Sequence, residues 1–203
     1  SSVIPFVSRG AKPIFVDINP VILNIDESLI EKQISKSTIA ILGMHYGGNS
    51  CNNEKIKSIC QNKNLLYIED AAMSFGIKNE DQYLGSFGDF AVVSFDVTKH
   101  ISSIQGGLLI INNKEFTKRA SKIYHVGTNR TDFFNGKKAY FEWVDIGSKF
   151  QLTETNAGVL YEQLLNLDEI VNQRIKLSKQ YYQLLKKLEE QGFIKLLPQE
   201  NLN

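Results

Sequence analysis

The chain predicts an α/β fold: a mostly parallel sheet with helices on both faces. Three observations predict it. Continuous apolar runs recur at residues 38–42, 65–68, 90–95 and 108–111. Such runs mark strands buried on both sides rather than alternating in and out. Stretches with helical apolar spacing follow several of these runs, the order that parallel strands joined by crossover helices require.

Each element has its own signal. Residues 13–17, Pro-Ile-Phe-Val-Asp, read as a short strand. Asn24 is placed to cap a helix over residues 25–34, and Glu27 three positions on gives capping-box spacing. Residues 38–42 read as a buried strand ended by Gly43 and a turn around Gly47-Gly48-Asn49. Ile56, Ile59 and Cys60 give residues 53–62 a helical face. Residues 65–68, 90–95 and 108–111 are further strands, and a helix is expected over 115–124. Residues 125–152 are rich in Gly, Asn and aromatics and carry little periodicity. Long irregular segments inside a compact fold are usually functional or interfacial. Thr153 opens a helical region. A second helix from Asp168 carries a broad apolar stripe from Ile170 to Leu188, with Gly192 as its stop. A short strand is expected just before Leu197.

Composition excludes several functions. The chain has 203 residues, enough for a sizeable core, and a net charge of +1. That balance gives no general attraction to nucleic acid or membrane. Two cysteines, Cys51 and Cys60, fit a reducing compartment better than a disulfide framework. No apolar run approaches the ~20 residues that span a bilayer, and no secretory signal is visible. Three histidines without clustered Cys/His spacing argue against structural zinc. A soluble cytoplasmic protein is expected. Ser1-Ser2-Val3-Ile4 has no initiator methionine and the end is equally abrupt, so the chain reads as the middle of something longer.

In α/β sheets ligands gather at the carboxyl ends of strands. Two chemistry-bearing residues are expected there. Asp70, in Glu69-Asp70-Ala71-Ala72, follows one strand, and Lys99 follows another. Alone, Asp70 would be a helix cap with Glu69 a surface charge, and Lys99 a solvated strand end. Together they are two halves of a pyridoxal 5′-phosphate (PLP) site. The lysine amine condenses with the cofactor aldehyde, and the carboxylate holds the pyridine nitrogen protonated. Ser94 and Thr98 offer hydroxyls suited to a phosphate. Gly106-Gly107 fits either a hairpin or backbone curling beneath a cofactor. His45 is placed to face the site, and Arg130 is placed to anchor an anion. GxGxxG, P-loop and G-x-S-x-G patterns are absent, which removes the main support for dehydrogenase, NTPase and serine-hydrolase readings.

A longer set of residues carries a family resemblance: Arg9-Gly10-Ala11-Lys12, Phe15-Val16-Asp17-Ile18, Asn24-Ile25-Asp26-Glu27, His45-Tyr46, Glu69-Asp70-Ala71-Ala72, Ser94-Phe95 and Thr98-Lys99. Gly127-Thr128-Asn129-Arg130, Phe133-Phe134, Gly136, Trp143 and Asp145-Ile146-Gly147-Ser148 complete it. With them the chain resembles the DegT/StrS family of PLP-dependent nucleotide-sugar aminotransferases. The resemblance implies the aspartate aminotransferase-like architecture of fold type I. It implies residues 1–165 as a PLP-binding large domain, incomplete at its N-terminus, and 166–203 as a long helix starting a small C-terminal domain. Lys99 and Asp70 look like its catalytic pair, and Lys99, Asp70, Ser94 and Met73 like its cofactor-binding set. A nucleotide-sugar substrate, glutamate as donor and a homodimer with the site at its interface are implied too.

The sequence departs from the family at four places. Met73 stands where Gln is usual, His100 where Asn is usual, Gln105 in a Gly-Glu-Gly-Gly position, and Lys149 where a small phosphate-contacting residue is expected. The family's N-terminal phosphate-binding turn and ring-stacking aromatic would lie before Ser1, so the chain alone is expected to be inactive. The dehydratase siblings carry histidine in place of the lysine, which Lys99 opposes. A truncated, non-catalytic subunit that folds and dimerises is the reading from another class.

Overall fold

The computed structural model describes residues 1–197. In chain order its strands are β1 (Ala40–Met44), β2 (Leu66–Asp70), β3 (Lys78–Asn79), β4 (Gln82–Tyr83), β5 (Phe90–Ser94) and β6 (Gly107–Ile111). The α-helices are α1 (Ile4–Val7), α2 (Asn53–Lys63), α3 (Thr117–Tyr124), α4 (Arg130–Phe134), α5 (Glu154–Leu165) and α6 (Leu167–Glu190). The main sheet has the order β1-β2-β5-β6. The first three strands are parallel and β6 returns antiparallel on β5. The mostly parallel α/β class is therefore observed, and Gly106-Gly107 leads into an antiparallel edge strand.

Helix α2 forms where its spacing predicts. Asn52 caps it by accepting the Lys55 N–H, and Asn64 closes it in the left-handed conformation. Its inner face buries Asn53, Ile56, Ile59 and Cys60. The Tyr67 hydroxyl donates to Asn53 Oδ1 at 2.6 Å, tying helix to sheet. Thr153 caps α5 by accepting the Asn156 N–H. Gly192 ends α6 as expected, its N–H bonding the Glu189 carbonyl while Phe193 N–H bonds that of Leu188.

Several expectations are corrected. Residues 13–17 form no strand, and an isolated bridge joins Ile18 to Ile25 instead. The helix over 25–34 gives way to turns and a 3₁₀ turn at Glu31–Gln33. The residues read as its start are engaged elsewhere. Asn24 donates to the Asn49 carbonyl (2.8 Å) and accepts the Tyr46 N–H (2.9 Å). Asp26 accepts both the N–H and the hydroxyl of Ser28. Such bonds compete with a helix for the backbone. Gly43 lies inside β1 rather than ending it, because the Tyr67 ring crosses there; a Cβ on Gly43 would sit 3.1 Å from the Tyr67 oxygen. No strand forms at residues 194–197, and residues 198–203 lie outside the described residues.

Burial is one-sided. One cluster joins Ile41 and Tyr67 to Ile56, Ile59 and Cys60 of α2, with Leu84 and Phe87. A second joins Ala71, Val93, Phe95 and Ile101, with Leu160, Leu167 and Ile170 packed on it. Strand register places Ile41, Tyr67, Ala91 and Val93 on one sheet face. The opposite face carries Met44, Asp70, Val92 and Leu109 in one row, and Val92 is 45% exposed and Leu109 51%. Helices α2, α5 and the start of α6 pack on the Tyr67 face, and Phe116, at the start of α3, meets the Phe90 ring on the other. The stripe of α6 is likewise packed at its start, while Leu177, Tyr181 and Leu184 are exposed. No described helix is long and apolar enough to cross a membrane. Cys51 and Cys60 are free and buried. Burial, then nearby carboxylates, push the Cys51 thiol up to about 12 and Cys60 to about 11.

Gly88 gives a sharp test of this packing. A Cβ there would meet the Tyr67 carbonyl oxygen at 2.7 Å and the Phe90 carbonyl at 3.2 Å, both backbone atoms of the central strands. Gly88→Ala is expected to cost about 3 kcal/mol, read as a lowered urea midpoint at unchanged slope.

Candidate active site

The site begins with two adjacent carboxylates on opposite faces of β2. Successive strand residues point to opposite sides, so Glu69 and Asp70 diverge. Asp70 ends β2 and pairs with Val92, which shares a face with Ser94, the last residue of β5. Asp70 and Ser94 therefore stand on one face at the carboxyl ends of neighbouring parallel strands.

Glu69 takes the other face and is fully buried, where a surface charge was one expectation. Its Oε2 accepts Nε2–H of His45 (2.9 Å) and the Gly85 N–H (2.8 Å). Its Oε1 accepts the N–H groups of Phe87 (2.7 Å) and Gly88 (2.6 Å). Burial pushes this carboxyl up, but the bonds from His45, Gly88 and Gly85 outweigh it and hold it below the ordinary carboxylate value. His45 does not face the site. It is fully buried, and its Nδ1 accepts the Cys51 N–H (3.1 Å), which leaves Nε2 carrying the proton toward Glu69. The His45 N–H also bonds the Asp70 carbonyl (3.0 Å). The reach of this network was missed from sequence. The available signal was the two-residue strand period, which puts Glu69 on the core face whenever Asp70 faces out.

Lys99 lies half-buried in the loop leaving β5, the strand that pairs with β2. That loop begins with a local turn in which Asp96 Oδ1 accepts both the Thr98 N–H (3.1 Å) and its hydroxyl (2.9 Å). Those two bonds hold the Asp96 carboxyl below its ordinary range. The Thr98 hydroxyl proton is thereby engaged, which corrects its expected phosphate role. Ser94 Oγ accepts the Asp96 N–H (3.3 Å) and keeps its own proton for another acceptor. Met73 is half-buried in the turn after Asp70. Arg130 is exposed at the start of α4, its guanidinium over the Phe134 ring. Lys149 is exposed and bridged to His125 by backbone.

The donor set suits a cofactor with a cationic ring nitrogen, an aldehyde and a phosphate. Asp70 Oδ1 accepts the Ala72 N–H (3.0 Å), and Oδ2 makes no hydrogen bond among the described residues. Lys99 makes no ion pair among them. Beside Met73, the buried Ser74 hydroxyl has no hydrogen-bond partner among the described residues.

Residues 1–202 match the family model described as the DegT/DnrJ/EryC1/StrS aminotransferase family. The dTDP-4-amino-4,6-dideoxy-D-glucose transaminase of Shigella dysenteriae is 35% identical over 180 residues, covering 89% of this chain and 47% of its own. The dTDP-4-dehydro-2,3,6-trideoxy-D-glucose 4-aminotransferase of Saccharopolyspora spinosa is 31% identical over 183 residues, covering 88% and 48%. Among solved structures, Helicobacter pylori PseC, an aminotransferase of pseudoaminic acid biosynthesis, aligns with TM-score 0.78 and 26% identity over 89% of this chain and 47% of that one. The chain spans about half the length of the relatives it matches.

The Glu69 network is open to a pH test. A depressed carboxyl contributes stability above its unfolded value, near 4.5, and loses it as pH falls through the folded value. Glu69→Gln is expected to cost about 3 kcal/mol at neutral pH, since an amide turns donors toward donors. Its urea midpoint should fall less steeply below pH 4.5 than the parent's. Parallel acid limbs in the two proteins would assign that stability to other carboxylates.

Proposed function

We propose, since the chain belongs to the DegT/DnrJ/EryC1/StrS aminotransferase family, that it forms the PLP-binding part of a nucleotide-sugar aminotransferase. The reaction is amination at C4 of a dTDP-4-keto-6-deoxyhexose with glutamate as donor. The two relatives named for dTDP-linked 4-amino or 4-keto sugars support that choice. The likeness carried by Gly127 to Ser148 favours dTDP-4-amino-4,6-dideoxygalactose as product, a building block for surface polysaccharide such as enterobacterial common antigen. Residues 1–165 are read as the cofactor-binding unit and 166–203 as the helix leading to a second one, the last six lying outside the described residues. A homodimer in the cytoplasm completes the proposal.

One observation carries it. Asp70 and the Lys99 loop leave neighbouring parallel strands at the same end, with Asp70 Oδ2 and the Lys99 amine both without partners among the described residues.

PLP, when bound, supplies an electron sink for the bond-breaking at the amino-bearing carbon. Asp70 Oδ2 would hold the proton on the ring nitrogen. Asp70 is 9% exposed, so little water competes for that bond. Lys99 Nζ would move the proton on and off the sugar C4 carbon, as a positioned general base and acid. Ser94 Oγ would donate to the phosphate, and Met73 would line the ring.

Two outcomes test the assignment. Incubation with PLP, borohydride reduction and peptide mapping should place the pyridoxyl group on Lys99. Label spread evenly over surface lysines would refute a dedicated site. In any assembly in which the parent chain converts PLP with glutamate, Asp70→Asn should keep PLP binding and lose that conversion by at least about a hundredfold, because an amide does not favour the protonated ring. Conversion within a few-fold of the parent would assign that role to another group.

A further inference from the structure

Lys99 has a neighbour that its assigned role does not use. His100 directs Nε2 at the carbonyl oxygen of Phe75, 2.8 Å away and 25 residues earlier. A carbonyl only accepts, so His100 is the donor and Nε2 carries the proton. Phe75 belongs to the turn that leaves Asp70, so one bond joins the lysine loop to the carboxylate's own turn.

Other contacts hold the rest of that loop. Ile101 is buried in the second cluster, and Phe75 meets the Phe95 ring edge-on at 5.4 Å. Ser103 N–H returns to the Phe95 carbonyl (2.9 Å). The Ser102 N–H bonds Gln163 Oε1 of α5 (2.8 Å), and Asn156 Nδ2 bonds the Gln105 carbonyl (2.9 Å). Those polar contacts tie the loop to itself and to α5. The His100 bond ties it toward Asp70. Among the described residues, the hydrogen bond that Lys99 itself makes is from its N–H to the Asp96 carbonyl (2.9 Å) within the local turn. The residue immediately after it therefore sets where its backbone stands relative to β2.

We infer that His100 is a positioning residue: its bond to the Phe75 carbonyl sets the spacing between the Lys99 amine and the Asp70 carboxylate. The inference rests on the assignment of those two residues to one PLP site. Chemistry at two points of one flat ring needs both groups placed to well within an ångström, and a donor of fixed reach spanning the two loops provides that.

The test compares His100→Leu, which keeps volume and removes the donor, with His100→Gln, which keeps a donor. Each is incubated with limiting PLP, reduced with borohydride and mapped, and hydrogen exchange is followed without PLP. In His100→Leu, label at Lys99 should fall at least tenfold, and amides of residues 96–103 should exchange faster while those of β1 and β2 do not change. His100→Gln should recover at least half of the label. Parent-like labelling by His100→Leu overturns the inference, as does His100→Gln failing equally. Faster exchange of β1 and β2 in His100→Leu also overturns it, by showing a general structural loss. A parent that takes no label at Lys99 overturns the Lys99 assignment itself, an outcome separate from any difference between the two variants.

Discussion

Four hydrogen bonds converge on one buried carboxylate, and the geometry of the site follows from them. Glu69 gathers His45 from the end of β1 and three backbone N–H groups from residues 85–88. A buried charge is tolerable only when its lone pairs are met. Here they are met from segments distant in sequence, so the carboxylate fixes how β1, β2 and the turn before β5 come together. Asp70 is the next residue and inherits that rigidity. Its carbonyl is held by the same His45 backbone, so Asp70 is set in place through the residue that Glu69 anchors.

The parts of the fold legible in sequence were those where local and global preferences agree. Helix α2 formed over the stretch read from its periodic face, and the structure adds a cap at Asn52 and a left-handed stop at Asn64. The four main strands appeared within two residues of their apolar runs. The first thirty-odd residues misled because Asn24 and Asp26 carry capping chemistry that the structure uses in other bonds. That choice depends on Asn49 and Tyr46, which are remote in sequence. Among candidate site residues, Asp70 and Ser94 were legible from strand ends alone. Sequence read Lys99 as following the strand that became β5 but gave no view of the Thr98 hydroxyl turned to Asp96, nor of His100 reaching Phe75. Both depend on the path of one loop, which has no periodicity to read.

The sheet also shows how one α/β core can be asymmetric. Both hydrophobic clusters lie on the Tyr67 and Val93 side, where α2, α5 and the start of α6 pack. Asp70 stands on the barer side, with Val92 and Leu109 as its neighbours in register. A flat apolar platform beside a carboxylate suits a planar aromatic ring with one cationic edge. The same division puts the two consecutive carboxylates on opposite faces of the sheet, both of them buried.

The two thiols add a practical consequence. Cys51 is closed in at the end of β1 with its thiol donated to the Met44 carbonyl, and Cys60 sits on the inner face of α2. Neither presents a thiolate near neutral pH, so disulfide exchange and alkylation wait for the core to open. Modification by a thiol reagent therefore clocks opening of the α2 core. The chain carries its own unlabelled sensor of folding, one cysteine on each side of the α2–β1 contact.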